Sequence, residues 1–318
     1  MLLELQGLSV SFRTSRGQVE VVSGLSFGIP RGSFFGLAGE SGCGKSLTAL
    51  AIMGLLPEGA RASGRVLFEG TDLLSLPPAE MRCLRGKELA MVFQEPMTSL
   101  NPVLRVGYQV MEALLAHRPL SKAEAQQRAV ELLRAVRLPS PELRLREYPH
   151  QLSGGMRQRV MLAMAIACGP KLLLADEPTT ALDVTIEAQI LELIDSLRRQ
   201  RQMAVLLISH DLATLAEWAD TIGVMYAGRL MELGPAGELF SRPLHPYTRG
   251  LLESLPRAGQ PLRPIPGMVP PPWRLPEGCK FSDRCPFAQQ ACRRQEPELQ
   301  ALRPAHAARC IRAEELFL

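Results

Sequence analysis

The chain has 318 residues, long enough to bury a substantial core as one large domain or as a domain with an extension. With 46% hydrophobic and 21% charged residues and a formal net charge of only +4, it reads as a soluble globular protein, without the Lys/Arg blocks that would argue for nucleic acid. Met1–Leu3 leads straight into Glu4 and the longest apolar run, 160–175, is broken by Gly169, Pro170 and Lys171, so neither a signal peptide nor a membrane span is expected.

In chain order, strands are expected at 19–27, 34–38, 88–93, 171–175, 204–209 and 221–227. The runs at 171–175 and 204–209 are continuously apolar, as in strands buried on both faces of a mostly parallel sheet. Helices fall between them at about 46–56, 155–168, 184–201 and 211–219, an alternation that implies an α/β layered core. From 95 to 150 the pattern is helical without strands and reads as an inserted helical subdomain, placed at about 95–155. Its segment 121–138 opens with a capping box, Ser121 and Glu124, and carries Val130, Leu133, Val136 and Leu138 near one face. Residues 256–276 hold eight prolines and read as an extended arm, which places the core at 1–255 and an extension at 256–318.

"GESGCGKS", 39–46, fits the phosphate-loop pattern and stands between an expected strand and an expected helix. Gly39, Gly42 and Gly44 let the backbone turn so that the N–H groups of the loop, which Glu40, Ser41 and Cys43 complete, converge on phosphate oxygens of ATP. Lys45 brings a charge to the β- and γ-phosphates, and the Ser46 hydroxyl can coordinate Mg²⁺. "KLLLADEP", 171–178, delivers two acids at the C-terminal edge of a buried strand: Asp176 can hold Mg²⁺, and Glu177 can act as general base on the attacking water. "LSGGMRQR", 152–159, makes a second helix N-terminus able to bind an anion through Ser153, Gly154 and Gly155. A second such site has no obvious use unless it serves a nucleotide held by another subunit.

With these three stretches the sequence resembles the ATP-binding subunits of ABC transporters: "LSGGMRQR" is similar to their signature motif, and "GESGCGKS" and "LLLADEP" to their two phosphate-site motifs. The resemblance implies a P-loop ABC-type nucleotide-binding domain over 1–255. It makes Gln94 in "VFQEP" the Q-loop residue touching Mg²⁺ and the membrane partner, Asp183 in "TALD" part of the D-loop, and His210 the switch histidine at the γ-phosphate. Phe12 stands where the family stacks an aromatic on adenine, and Cys43 where many members have Ser. The stretches 94–110, 147–190 and 245–252, with the cysteine tail, further resemble the oligopeptide/dipeptide/nickel importer ATPases.

That resemblance implies a head-to-tail dimer, with this chain or a homologous ATPase as the other half. Each ATP would lie between one subunit's phosphate loop and, in trans, the other's Ser153, Gly154, Gly155 and Asp183. It also implies two membrane permease subunits, an extracytoplasmic substrate-binding protein reached indirectly, and a peripheral place on the cytoplasmic face of the membrane. A nickel importer would look similar. A soluble ABC-class ATPase acting on DNA or ribosomes is the other alternative, but the chain has neither a long coiled-coil insertion nor a second motif set.

The tail carries Cys279, Cys285, Cys292 and Cys310 in the spacing C-x5-C-x6-C-x17-C. Four thiolates suffice for tetrahedral zinc or for a cubane iron–sulfur cluster. The wide spacing lacks the tight pairs of zinc knuckles, and the family resemblance implies a [4Fe–4S] cluster; Zn²⁺ and free thiols are the alternatives. His306 could replace Cys310 as a ligand. The expected role is that of a staple for a small unit with little apolar surface to bury. The remaining cysteines, Cys43, Cys83 and Cys168, read as loop or packing residues.

Overall fold

The computed structural model describes residues 1–15, 17–94, 99–180, 183–256 and 263–317. The chain forms two compact units, one of Met1–Ile29, Phe34–Ser75 and Leu207–Leu318, the other of Pro30–Ser33 and Leu76–Leu206.

The first unit begins with two long antiparallel strands, β1 (Leu3–Thr14) and β2 (Gly17–Ile29). On β1 the buried residues are Leu3 and Leu5, then Leu8 and Val10. The change of parity coincides with register shifts between Leu5 and Leu8, and such a bulge moves the apolar set one residue along the strand. β3 (Phe34–Ala38) is buried throughout and runs into α1 (Lys45–Ile52). β4 (Ala60–Phe68) and β5 (Thr71–Asp72) complete an antiparallel sheet of order β2-β1-β4-β5. Only β2 of that sheet is visible as a strand in the pattern reading.

The second unit holds α2 (Pro78–Leu84) and β6 (Leu89–Val92), then α3 (Val106–Leu115), α4 (Lys122–Ala135) and α5 (Pro141–Arg144). Among the described residues the stretch from 99 to 150 is free of strands, as expected. The capping box forms: Ser121 Oγ accepts the Glu124 N–H at 3.3 Å, and Glu124 Oε2 accepts the Ser121 N–H at 2.8 Å. The face that α4 buries consists of Ala125, Ala129, Leu132 and Leu133, continued by Val136 and Leu138 after the helix. Val130 lies at the margin of that face, half-buried, because two alanines give the close-packed side of the helix. α6 (Gly154–Ala165) leads to β7 (Leu172–Asp176), which pairs in parallel with β6 from Leu89↔Leu172 to Val92↔Ala175. α7 (Val184–Arg201) follows, and β8 (Ala204–Ser209) carries the chain back to the first unit.

There α8 (Leu212–Trp218) precedes β9 (Thr221–Tyr226), which lies parallel to β3, pairing Phe35 with Thr221 and Ala38 with Val224. β10 (Arg229–Pro235) is antiparallel to β9. After α9 (Ala236–Ser241) and α10 (Pro246–Glu253), the chain reaches α11 (Gln290–Arg294), the hairpin β11 (Gln300–Arg303) and β12 (His306–Ala308), and α12 (Ala313–Phe317). β12 pairs with β10, Glu232 opposite Ala308, so the end of the chain adds strands to the sheet that carries the phosphate loop. No helix among the described residues is long and apolar enough to cross a membrane.

Candidate active site

The phosphate loop joins β3 to α1 in the first unit. Its glycines have positive φ, 148° at Gly39, 78° at Gly42 and 104° at Gly44. Two of them are also sites of close approach: a Cβ at Gly39 would stand 2.3 Å from the Met225 carbonyl oxygen, and one at Gly44 2.7 Å from Val22 Cγ2. L-residues rarely adopt these angles, and here they would also clash. Lys45 is buried, and its Nζ donates to the Gly39 carbonyl at 2.7 Å and to the Glu40 carbonyl at 3.1 Å. The ammonium is thus folded back over the loop, positioned by the peptide groups that define it. Ser46 follows in the first turn of α1, half-buried, while Ser41 and Gly42 are exposed. Cys43 is fully buried, and burial pushes its thiol pKa up, so it stays a neutral packing group that contributes backbone to the loop.

The Glu40 side chain has a partner that pattern reading missed. Its carboxylate is gripped by Arg284, Nη1 to Oε2 at 2.6 Å and Nη2 to Oε1 at 3.0 Å. The pair spans 244 positions of sequence, and no periodicity or motif links residues so far apart.

His210 follows β8 in the same unit and is exposed. Phe12 lies on β1, half-buried, opposite Val19 of β2 and Ala60 of β4.

In the second unit, Asp176 is the buried last residue of β7, and Glu177 follows with φ 44°. A non-glycine residue in the left-handed region costs about 1–2 kcal/mol, and such strain gathers at functional sites. Glu177 Oε2 accepts from Gln94 Nε2 at 2.9 Å and from Thr180 Oγ1 at 3.0 Å. The two residues singled out in "VFQEP" and "LLLADEP" therefore meet, although 83 positions separate them.

Ser153 is the N-cap of α6, its Oγ accepting the Met156 N–H at 3.3 Å, and Gly154 and Gly155 form the first turn. A Cβ on Gly155 would stand 2.9 Å from Ile186 Cγ2, so the absent side chain lets α6 lie against the start of α7. Asp183 caps α7, its Oδ1 accepting the Ile186 N–H at 2.9 Å. Residues 181 and 182 of "TALD" lie outside the described residues.

Cys279, Cys285, Cys292 and Cys310 line one cavity of about 20 Å³, together with Phe281 and Phe287. The Cys279 N–H donates to the Cys292 carbonyl at 2.8 Å, closing the segment on itself. Burial pushes the thiols of Cys279, Cys285 and Cys310 up to about 11, and neighbouring cysteines add to the rise in each case. Raised in this way, the thiols stay protonated unless a cation compensates them. Among the described residues, no three His, Cys, Asp or Glu side chains stand in an arrangement that could hold a metal ion. His306 does not line the cavity: its Nε2 is committed to Glu232 at 2.7 Å, both side chains being buried, which removes it as a replacement for Cys310. Cys83 is exposed and Cys168 buried, and neither lines the cavity.

A glycine-rich loop after a buried strand, with a second strand ending in Asp-Glu, defines a P-loop ATPase. The chain belongs to the ABC transporter family, whose sequence profile matches residues 22–180, and a second profile, the oligopeptide/dipeptide transporter C-terminal region, matches residues 231–292. It is 48% identical to the oligopeptide transport ATP-binding protein OppD of Salmonella typhimurium, over 100% of this chain and 96% of that one. It is also 48% identical to the dipeptide transport ATP-binding protein DppD of Bacillus subtilis, over 97% of this chain and 94% of that one. Among solved structures, the dimeric bacterial ABC transporter cassette MJ0796 superposes with a TM-score of 0.66 at 26% identity, covering 74% of this chain and 98% of that one.

Proposed function

We propose that this chain is the ATP-hydrolysing subunit that powers import of peptides through a membrane permease. What carries the reading is that full-length similarity to subunits named for oligopeptide and dipeptide transport accompanies an intact phosphate loop and an intact Asp-Glu strand end. Neither the nickel importer nor a soluble ATPase has a comparable observation in its favour.

In this reading the N–H groups of residues 39–44 and the Lys45 ammonium bind the phosphates of ATP, and Phe12 packs on the adenine. Ser46, Gln94 and Asp176 are the residues that would hold Mg²⁺, which supplies charge compensation at the β- and γ-phosphates. Glu177 accepts the proton of the attacking water, with Gln94 and Thr180 orienting its carboxylate. His210 contacts the γ-phosphate. The N-termini of α6 and α7, with Ser153, Gly154, Gly155 and Asp183, serve the nucleotide of the other subunit in a head-to-tail dimer of this chain with itself or a homologue. Closure on ATP and reopening after hydrolysis then shift the conformational populations of two permease subunits. A substrate-binding protein outside the membrane delivers the cargo, and the ATPase works at the cytoplasmic face.

Cys279, Cys285, Cys292 and Cys310 would hold a [4Fe–4S] cluster, with Zn²⁺ as the alternative, and the bound group would supply the cross-link that the small segment lacks. The cysteine spacing and the family resemblance support the assignment; the four thiols line one cavity but do not stand in a metal-holding arrangement.

The test is reconstitution of the chain with its co-purifying membrane subunits in liposomes. Peptide-dependent ATP hydrolysis and ATP-dependent peptide uptake, both abolished by Lys45→Ala, are expected. Hydrolysis indifferent to peptide, or uptake that persists in Lys45→Ala, would overturn the reading.

A further inference from the structure

Glu40 is the second residue of the phosphate loop, and it is anchored from three directions within the first unit. Its carbonyl accepts from Lys45. Its N–H donates to the Tyr247 hydroxyl at 3.1 Å, and that hydroxyl donates on to Oε2 at 3.4 Å. Its carboxylate takes both Nη groups of Arg284. Arg284 lies between Asp283 and Cys285 in the tail, so a residue of the cysteine segment completes the electrostatics of the loop.

The guanidinium is held by several partners at once. Its side chain is 5% exposed against 30% for Glu40. Nε donates to the Pro266 carbonyl at 2.8 Å, and the plane lies over the Tyr226 ring, 5.6 Å from its centroid. Tyr226, Tyr247 and Phe281 pack edge-on or tilted against one another with centroids 4.8–5.2 Å apart, which supports the fork from beneath. Such a bidentate pair is directional as well as strong.

A carboxylate in a loop that takes a polyanion is a liability, because it repels the phosphates unless it is neutralised. We propose that Arg284 is a positioning residue for nucleotide binding, holding the Glu40 carboxylate neutralised and turned toward the tail so that the loop can take a nucleoside triphosphate. The proposal rests on the reading of residues 39–46 as the ATP site. The Arg284 donors are committed to the Glu40 carboxylate and the Pro266 carbonyl, so the residue acts through Glu40.

The experiment measures MgATP affinity and the KM and kcat of ATP hydrolysis for the full-length chain and its variants. Arg284→Ala leaves Glu40 charged and uncompensated, and is expected to raise the Kd and KM for MgATP roughly 10-fold with kcat within about 3-fold of the parent. Adding Glu40→Gln to Arg284→Ala removes the orphan charge and is expected to recover most of the lost affinity. Arg284→Lys keeps the charge without the fork and should fall between. A residue that merely stapled the tail would not be rescued by neutralising Glu40. Wild-type affinity in Arg284→Ala, or no recovery in the double variant, overturns the proposal. If Arg284→Ala does not fold, Arg284→Lys and the pair Arg284→Gln with and without Glu40→Gln decide it by the same rescue criterion. Lys45→Ala is the control: affinity unchanged there would sink the nucleotide-site reading itself, whereas affinity lost there and retained in the Arg284 variants would sink only this proposal.

Discussion

Glu232 of β10 and His306 of β12 form a pair sealed from solvent, Oε1 to Nε2 at 2.7 Å, with side-chain exposures of 0% and 1%. The same carboxylate accepts the backbone N–H groups of Leu244 and His245, at 2.7 and 2.9 Å. It therefore ties three stretches of the chain at one buried point. Removing one partner of a buried pair leaves the other uncompensated. His306→Ala is expected to destabilise the first unit by about 3 kcal/mol, read as a lowered urea midpoint by circular dichroism. A change below about 0.5 kcal/mol, the range of surface substitutions, would mean the pair holds nothing.

Glu177→Gln keeps the shape of the side chain but cannot accept a proton. Turnover is expected to fall roughly 10²–10⁴-fold, with ATP binding retained, measured by phosphate release beside equilibrium binding. Near-normal hydrolysis would take Glu177 out of the base role.

Ser153→Arg places a bulky cation at the N-terminus of α6. The variant is expected to bind ATP at its own phosphate loop but, as the sole species, to hydrolyse it poorly. Mixing it with an excess of Lys45→Ala subunits should restore part of the activity, since one composite site per mixed dimer is then intact. Full activity of the Ser153→Arg protein alone would refute sharing of sites between subunits.

His245 caps α10, its Nδ1 accepting the Tyr247 N–H at 3.0 Å. Burial holds its pKa down at about 3, against an ordinary value of 6.5. Below pH 6.5 the unfolded chain takes up a proton that the folded one refuses, so stability falls with pH until about 3. Between pH 6.5 and 5 the loss from this group is about 2 kcal/mol. Urea midpoints across that range should drop, and His245→Asn, which keeps a capping acceptor without titrating, should flatten the profile. Parallel profiles for parent and variant would exclude His245 as the cause.

Anaerobically purified protein is expected to be brown, with about four irons and four sulfides per chain, and to lose the colour on Cys→Ser at Cys279, Cys285, Cys292 or Cys310. A colourless protein with one zinc would keep the cross-link and replace the cluster. Neither metal would leave the four thiols as packing groups.

Much of the site was legible because its residues sit in short contiguous patterns. The strand and helix flanking "GESGCGKS" appear where the loop requires them, and β3 and β8 have the bounds that their apolar runs set. Asp176 and Glu177 come at the end of a strand that is apolar up to Ala175. The antiparallel sheet was hidden for a physical reason. Its first strand changes parity at a bulge, so alternation fails over the window in which it is sought, and β4 is mostly polar or small until Val66. The positive φ of Glu177 has no glycine to announce it. Arg284 was unreadable in its role because its partner lies 244 positions earlier, in the phosphate loop, while the arginine sits among cysteines, and only folding brings them together.

The pairing of β12 with β10 has a consequence beyond packing. β10 is extended and largely buried, and the hairpin covers the middle of its outer edge at Glu232 and Leu233, helped by the Arg309 N–H on the Met231 carbonyl at 2.8 Å. A chain clipped by a protease before residue 300 would keep its phosphate loop yet present a bare sheet margin. Bare margins recruit strands from other molecules. Loss of residues 300–318 would thus turn a working subunit into a seed for self-association, and the hairpin doubles as protection for the sheet.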